Sequence, residues 1–231
     1  MSNKPLMNSL PDSTALDEAL VKKISKTLAA ALNERGEASL AVSGGSTPKG
    51  MLTRLASEPL DWSRIHVLLV DERWLATDHD DSNENMLRQT LLKGEAAHCQ
   101  YLSLKTDDEL AKDGQFTVEE ILEELPWPLD VVHLGMGSDG HTASWFHDAP
   151  EYQTLQNISK QRCLAVHPNS APYPRLSLSP AAVFDSRHVF IQLTGKTKRE
   201  LLEQALFKGA DYPISIVLHQ DKVPVEIYWA P

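Results

Sequence analysis

Residues 130–146 read Asp130-Val131-Val132-His133-Leu134-Gly135-Met136-Gly137-Ser138-Asp139-Gly140-His141-Thr142-Ala143-Ser144-Trp145-Phe146, and the fold follows from the change of character at Leu134. Up to that point the run has the length and β-branched content of a buried strand. Beyond it, Gly135, Gly137 and Gly140 let a ligand approach the main chain closely, which side chains would otherwise prevent. Thr142–Phe146 then predicts a short helical turn. Asp139 and His141 therefore fall on a strand-to-helix loop at the carboxyl end of a strand, where open α/β sheets bind their ligands.

The same unit recurs on both sides. Ala38–Val42 predicts a strand, Ser43-Gly44-Gly45-Ser46-Thr47-Pro48 a glycine turn, and Met51, Leu52 and Leu55 the helix that follows, with Pro48 suited to a first helical position. Ile65–Val70 predicts a strand that ends in Asp71-Glu72-Arg73, and Val189–Leu193 one that ends in Thr194-Gly195-Lys196 before a helix to about Leu206. Leu164–His167 and Val225–Trp229 add two more strands. Leu16, Leu20, Ile24 and Leu28 recur at four-residue spacing and predict an amphipathic helix over 13–33 that stops at Gly36. Phe116–Leu125 predicts a helix that ends before Pro126, whereas the proline-rich stretch 168–180 predicts an ordered irregular loop. Strands alternating with helices throughout imply a largely parallel sheet covered on both faces, in one α/β domain spanning residues 1–231.

The strand ends carry the chemistry. An imidazole such as His141 exchanges protons near neutral pH, and Asp139 two residues earlier is placed to fix its tautomer. The 43–48 turn offers backbone N–H groups and hydroxyls to an anion, but without the Gly-Lys-Ser/Thr ending of a P-loop it does not imply a nucleotide. Arg73, Arg175 and Lys196 are the candidate cationic contacts, and Lys198 and Arg199 read as exposed helix charges. Glu72 reads as a cap for the next helix, while Asp71 stays open between ligand contact and structure. His79, Asp80 and Asp81 lack a second cluster at metal spacing, so no metal is expected. A formal net charge of −10 argues against nucleic-acid or anionic-membrane partners, so cationic contacts to an anionic ligand have to be local. The N-terminus lacks a signal-peptide core and no run is long enough to span a bilayer, which predicts a cytoplasmic protein. From the residues alone, the expectation is a soluble enzyme acting on a small phosphorylated molecule by histidine-assisted proton transfer.

Taken together, Ser43–Pro48, Asp71-Glu72-Arg73 with His79 and Ser82-Asn83, Leu134–Ser144, Pro174-Arg175-Leu176-Ser177 and Gly195-Lys196-Thr197-Lys198 resemble, in order, the motifs of the glucosamine-6-phosphate isomerase/6-phosphogluconolactonase family, on its lactonase side. The resemblance covers nearly the whole chain. It implies the Rossmann-like fold shared with glucosamine-6-phosphate deaminase and ribose-5-phosphate isomerase, hydrolysis of 6-phospho-D-glucono-1,5-lactone, and no cofactor. It also implies that His141 is the general base with Asp139 beside it, and that Gly44, Gly45, Ser46, Arg73, Arg175 and Lys196 hold the phosphorylated substrate. The sequence departs from the lactonase pattern at Trp145, Phe146 and His147, where Leu-Phe-Pro is usual, and at Leu75-Ala76. The alternative is a deaminase-like isomerase using Asp71 as its base, but that pattern carries tyrosine where this chain has Arg73 and Asn83.

Overall fold

In chain order the elements are β1 (Leu6–Ser9), α1 (Ser13–Arg35), β2 (Ala38–Val42), α2 (Lys49–Leu55), β3 (Ile65–Leu69), β4 (Asp71–Arg73), α3 (Asn83–Thr90), β5 (Gln100–Leu102), α4 (Ala111–Glu123), β6 (Val131–Leu134), α5 (Tyr152–Asn157), β7 (Cys163–Val166), β8 (Arg175–Leu178), α6 (Pro180–Phe184), β9 (Val189–Thr194), α7 (Lys196–Ala205), α8 (Ser215–Leu218) and β10 (Val225–Ala230). They are taken from a computed structural model that describes residues 5–157, 160–207 and 209–231. Seven strands form one sheet in the order β1-β10-β9-β6-β2-β3-β5, with every pair parallel. Every residue of β2 and β6 is buried, as expected of central strands covered on both faces. This is the largely parallel α/β architecture expected from the alternating pattern, and the Rossmann-like fold that the family resemblance implied.

Helix α1 illustrates how local sequence sets the frame. The Asp12 side chain accepts from the Ala15 N–H and so caps the first turn, and Gly36 closes the last turn at φ 86°, a left-handed conformation that glycine adopts without strain. Between them Leu16, Leu20, Ile24 and Leu28 are fully buried. Burying each such side chain contributes up to roughly 1.5–3 kcal/mol before conformational entropy is subtracted. The helix runs against β2, β6 and β10 and so braces the centre of the sheet.

Several elements differ from the sequence expectation. A second, three-stranded antiparallel sheet, β4-β8-β7, stands beside the first. It absorbs the run at 163–166, and it turns Arg175–Leu178, expected as irregular loop, into a central strand paired with Asp71–Arg73 on one side and Cys163–Val166 on the other. The prolines that suggested a loop all lie outside the four residues of β8. Residues 142–146 form a tight turn closed by a Thr142–Trp145 bridge and not a helix, with Ala143 at φ 46°. The short edge strands β1 and β5 carry little apolar pattern and were not expected; pairing with β10 and β3 creates them. No described helix is long and apolar enough to cross a membrane.

Candidate active site

The strand order reverses between β2 and β6. From β2 the chain moves outward through β3 to β5, whereas from β6 it moves the other way through β9 to β10. Ligand crevices in open α/β sheets form at such a switch point, outside the carboxyl ends of the strands. Here the two loops that leave it are 43–48 and 135–143. They are tied together at their roots: the Ser43 N–H donates to the His133 carbonyl (3.1 Å), and the Ser43 hydroxyl accepts from the Gly135 N–H (3.0 Å). A cavity of about 230 Å³ opens between them. A second cavity of about 300 Å³ adjoins it and shares Asp71, Arg73, His141 and Ala143.

His141 stands at the junction of the two. Its Nδ1 lies 2.6 Å from Asp139 Oδ1, and its own backbone N–H bonds the same oxygen at 3.2 Å. The hydrogen bond from His141 holds the Asp139 carboxyl well below the usual range, at about 2. A carboxylate only accepts, so Nδ1 carries the proton and Nε2 is left as a lone pair with no partner among the described residues. The ring stacks on Phe146, centroids 4.2 Å apart, and its side chain is 31% exposed. Gly137 makes this packing possible. A Cβ there would overlap the imidazole and come within 2.5 Å of Asp139 Oδ1. The turn beyond holds Ala143 in a left-handed conformation, a local constraint of the kind that persists where surrounding structure over-determines it.

The loop after β2 is shaped for an anion. Among the described residues no acceptor takes the N–H groups of Gly44, Gly45, Ser46 or Thr47. Gly44 must be glycine because Asn83 lies against it, where a Cβ would overlap the side-chain amide. Gly45 sits at φ 93°. Asn83 in turn donates to the Asp71 carbonyl (2.9 Å), and Arg73 donates to the Asp81 carbonyl (2.5 Å). Asp71 itself is buried and accepts from the Ser144 hydroxyl at 2.6 Å, which links β4 to the turn after His141.

Glu72 does what its position suggested. Its carboxylate is buried and accepts from the N–H groups of Arg73 (2.7 Å), Asn83 (2.8 Å) and Glu84 (2.6 Å) and from the Ser82 hydroxyl (3.0 Å). It thereby caps α3 from outside the helix. Burial pushes its pKa up, and the four hydrogen bonds oppose that rise. On the far wall, Arg175 is buried on β8 and donates to the carbonyls of Pro172 (2.6 Å) and Tyr173 (2.8 Å), with its guanidinium 5.0 Å from the Phe146 ring centroid. It has no carboxylate partner among the described residues. Tyr173 donates to Asp81 Oδ2 at 3.1 Å and so joins the 168–174 loop to the 75–83 loop across the second cavity.

One expected contact needs correction. Gly44, Gly45, Ser46, Arg73 and His141 all line the first cavity and Arg175 lines the second, but Lys196 lines neither. It is exposed, whereas Lys198, read from sequence as a solvent charge, is half-buried and lines the first cavity. The reason is helical phase. Lys196 is the first residue of α7, and a residue two positions on is rotated by about 200°, so only one of the two can face the crevice. Lys198 feels both partial burial, which lowers its pKa, and the Asp139 charge, which raises it; burial dominates. His133 and Gln192 also line the cavity. The available signal was a lone polar residue inside each of two apolar strands.

Residues 11–229 match the model of the family described as glucosamine-6-phosphate isomerases/6-phosphogluconolactonase. The chain belongs to this family. It is 38% identical over 225 residues to a 6-phosphogluconolactonase of Mesorhizobium japonicum, covering 97% of this chain and 94% of that protein. A 6-phosphogluconolactonase of Pseudomonas putida is 36% identical, with 97% and 93% covered. Among solved structures, that of a 6-phosphogluconolactonase from Shewanella baltica superposes with a TM-score of 0.97 at 38% identity over 100% of both chains. One from Trypanosoma brucei gives 0.85 at 25% identity, covering 99% of this chain and 97% of that one. The family thus spans both halves of the switch point, from α1 to β10, and the loops that build the two cavities lie within the matched residues.

Proposed function

We propose that this chain is a lactonase that opens 6-phospho-D-glucono-1,5-lactone to 6-phosphogluconate, with His141 as the general base. The observation that carries the reading is the Asp139–His141 pair. One ring nitrogen is pinned as a donor at 2.6 Å and the other is left free, on a residue that lines both cavities. His141 Nε2 takes a proton from water as the water oxygen bonds to C1 of the lactone. The tetrahedral oxyanion that results needs donors already in place. Arg73, Lys198, the N–H groups of the 44–47 loop and Arg175 in the adjoining cavity are the donors at hand, and they divide between this oxyanion and the substrate phosphate. Collapse of the intermediate breaks the bond from C1 to the ring oxygen, and the proton held by His141 passes to that oxygen. Asp139 stays ionised throughout and stabilises the imidazolium.

The cationic groups are a local concentration within an acidic molecule of formal net charge −10, which fits a small, freely diffusing anionic substrate in the cytoplasm better than a nucleic acid or a membrane. The test is hydrolysis of freshly generated 6-phosphogluconolactone, coupled to 6-phosphogluconate dehydrogenase, for the wild type and His141→Ala against the spontaneous rate. A wild-type rate well above background that His141→Ala removes, with 6-phosphogluconate still bound, supports both reaction and base. A wild type that only matches background refutes the lactonase reading, and ammonia release from glucosamine 6-phosphate then becomes the assay.

A further inference from the structure

The turn that carries His141 is bonded mainly to itself. The Gly137 N–H donates to the His141 carbonyl, the Gly140 N–H donates to the Gly137 carbonyl, and the His141 ring and backbone both reach Asp139. Among the described residues a single hydrogen bond ties residues 136–141 to the rest of the chain: the Ile214 N–H donates to the Gly140 carbonyl at 2.9 Å. Side chains reinforce that tie. Gly140 is buried at φ 84°, and a Cβ there would come within 2.8 Å of Tyr212 Cδ1, 3.1 Å of Tyr212 Cβ and 3.3 Å of Leu201 Cδ2. Tyr212 and Leu201 therefore close directly over the Gly140 backbone, the one residue between Asp139 and His141.

Both side chains belong to one support. Lys198, Leu201 and Gln204 recur every three residues along α7 and so share a face of that helix. Lys198 lines the first cavity, Leu201 meets Gly140, and Gln204 Oε1 accepts from the Tyr212 hydroxyl at 2.9 Å. The 212–214 segment is fastened to α7 again just beyond, where the Ser215 hydroxyl donates to the Ala205 carbonyl at 3.0 Å. A turn whose bonds are internal can swing as a unit with its 2.6 Å Asp139–His141 contact intact. Apart from the stack of the imidazole on Phe146, the direction in which His141 Nε2 points is therefore set from outside the turn, by Tyr212, Leu201 and Ile214.

We propose that Tyr212 is a positioning residue for the reaction: with Leu201 it holds Gly140, and through it the Asp139–His141 pair, in the orientation that presents His141 Nε2 to the cavity beside Lys198. This rests on the reading of His141 as the base. The test measures kcat and KM in the coupled lactonase assay for the wild type, Tyr212→Ala, Tyr212→Phe and Leu201→Ala, each normalised to the folded fraction read from its urea curve. Tyr212→Ala is expected to lower kcat by about tenfold or more with KM within about twofold, because the 44–47 loop and Arg73 stand on other elements. Tyr212→Phe keeps the ring on Gly140 and is expected to restore kcat to within about threefold of the wild type. A wild-type kcat per folded molecule in Tyr212→Ala would make Tyr212 a packing residue only and overturn the proposal, as would an equal loss in Tyr212→Phe. Should Tyr212→Ala fail to fold, Leu201→Ala decides: a kcat lowered by about fivefold at unchanged KM supports the proposal, and a wild-type kcat overturns it. Failure of the base reading shows separately, as a wild-type rate in His141→Ala with Tyr212 intact, and would take this proposal with it.

Discussion

Replacing Gly137 by alanine is expected to disable the site while leaving the fold in place. The new methyl would come within 2.5 Å of Asp139 Oδ1 and overlap the Cε1 and Nδ1 atoms of His141, against a normal contact of about 3.5 Å or more for such atoms. Relief requires a displacement of about 1 Å. The backbone cannot supply it cheaply, because the Gly137 N–H donates to the His141 carbonyl at 2.8 Å and the Gly140 N–H returns to the Gly137 carbonyl at 3.2 Å. The imidazole therefore moves, losing its 2.6 Å bond to Asp139, its stack on Phe146, or both. A misplacement of that size at a reacting group costs about 10²-fold in rate.

Overpacking of this kind also costs about 1–3 kcal/mol of stability. The expected result is a kcat lowered by about 10²-fold, a KM changed little because the 44–47 loop leaves a different strand, and a lower urea midpoint. Gly135→Ala is the stability control: its added Cβ meets nothing within 4 Å, so its urea midpoint is expected to match or slightly exceed the wild type. Wild-type kcat and stability in Gly137→Ala would show that the His141–Asp139 geometry is not what the reaction depends on.

Asp139→Asn turns the acceptor facing His141 Nδ1 into a group able to donate, which favours the wrong tautomer; kcat in the coupled assay is expected to drop by roughly 10²–10⁴-fold with the protein still folded. Because the Asp139 pKa is depressed, to about 2 from 3.8, its contribution to stability is complete above the unfolded value and is lost as pH falls through the folded one. The variant should therefore show a shallower loss of urea midpoint than the wild type between pH 4 and pH 2, an interval set by those two values; identical slopes would contradict the assignment. Lys198→Met is expected to raise KM by about tenfold or more, whereas Lys196→Met, which removes an exposed charge, should stay within about twofold; equal effects would refute the phase argument for α7. Glu72→Gln places an amide NH₂ against donors from Arg73, Ser82, Asn83 and Glu84 and should lower stability by about 3 kcal/mol in urea unfolding, with little change if the carboxylate were not the cap of α3.

Where short-range chemistry fixes the outcome, the sequence was sufficient. Asp139 and His141 are two residues apart on one loop, and a strand followed by glycines leaves them almost no other mutual arrangement, so their pairing was legible before any coordinates. The same is true of α1, whose four-residue apolar spacing and Gly36 stop are local, and of Glu72, which lies ahead of the helix it caps. The parallel sheet followed from strands and helices in alternation, and its carboxyl edge from the glycines and charges that end each strand.

Tertiary structure decided whatever depends on phase or on distant partners. Whether Lys196 or Lys198 faces the crevice turns on the residue at which α7 starts, since one step along a helix rotates a side chain by about 100°. Arg175–Leu178 is a strand only because Asp71–Arg73 and Cys163–Val166 flank it. Hydrogen bonds from Gln192 to His133 and to Asp17 join residues 59 and 175 positions apart. No local pattern encodes such a meeting, because it comes from the order in which a parallel sheet sets β6 beside β9 and lays α1 over both. Sequence determined the Asp139–His141 pair and the edge of the sheet on which it stands; packing determined which cation lines the crevice and which second sheet flanks it, because those choices are made by side-chain direction after the backbone has folded.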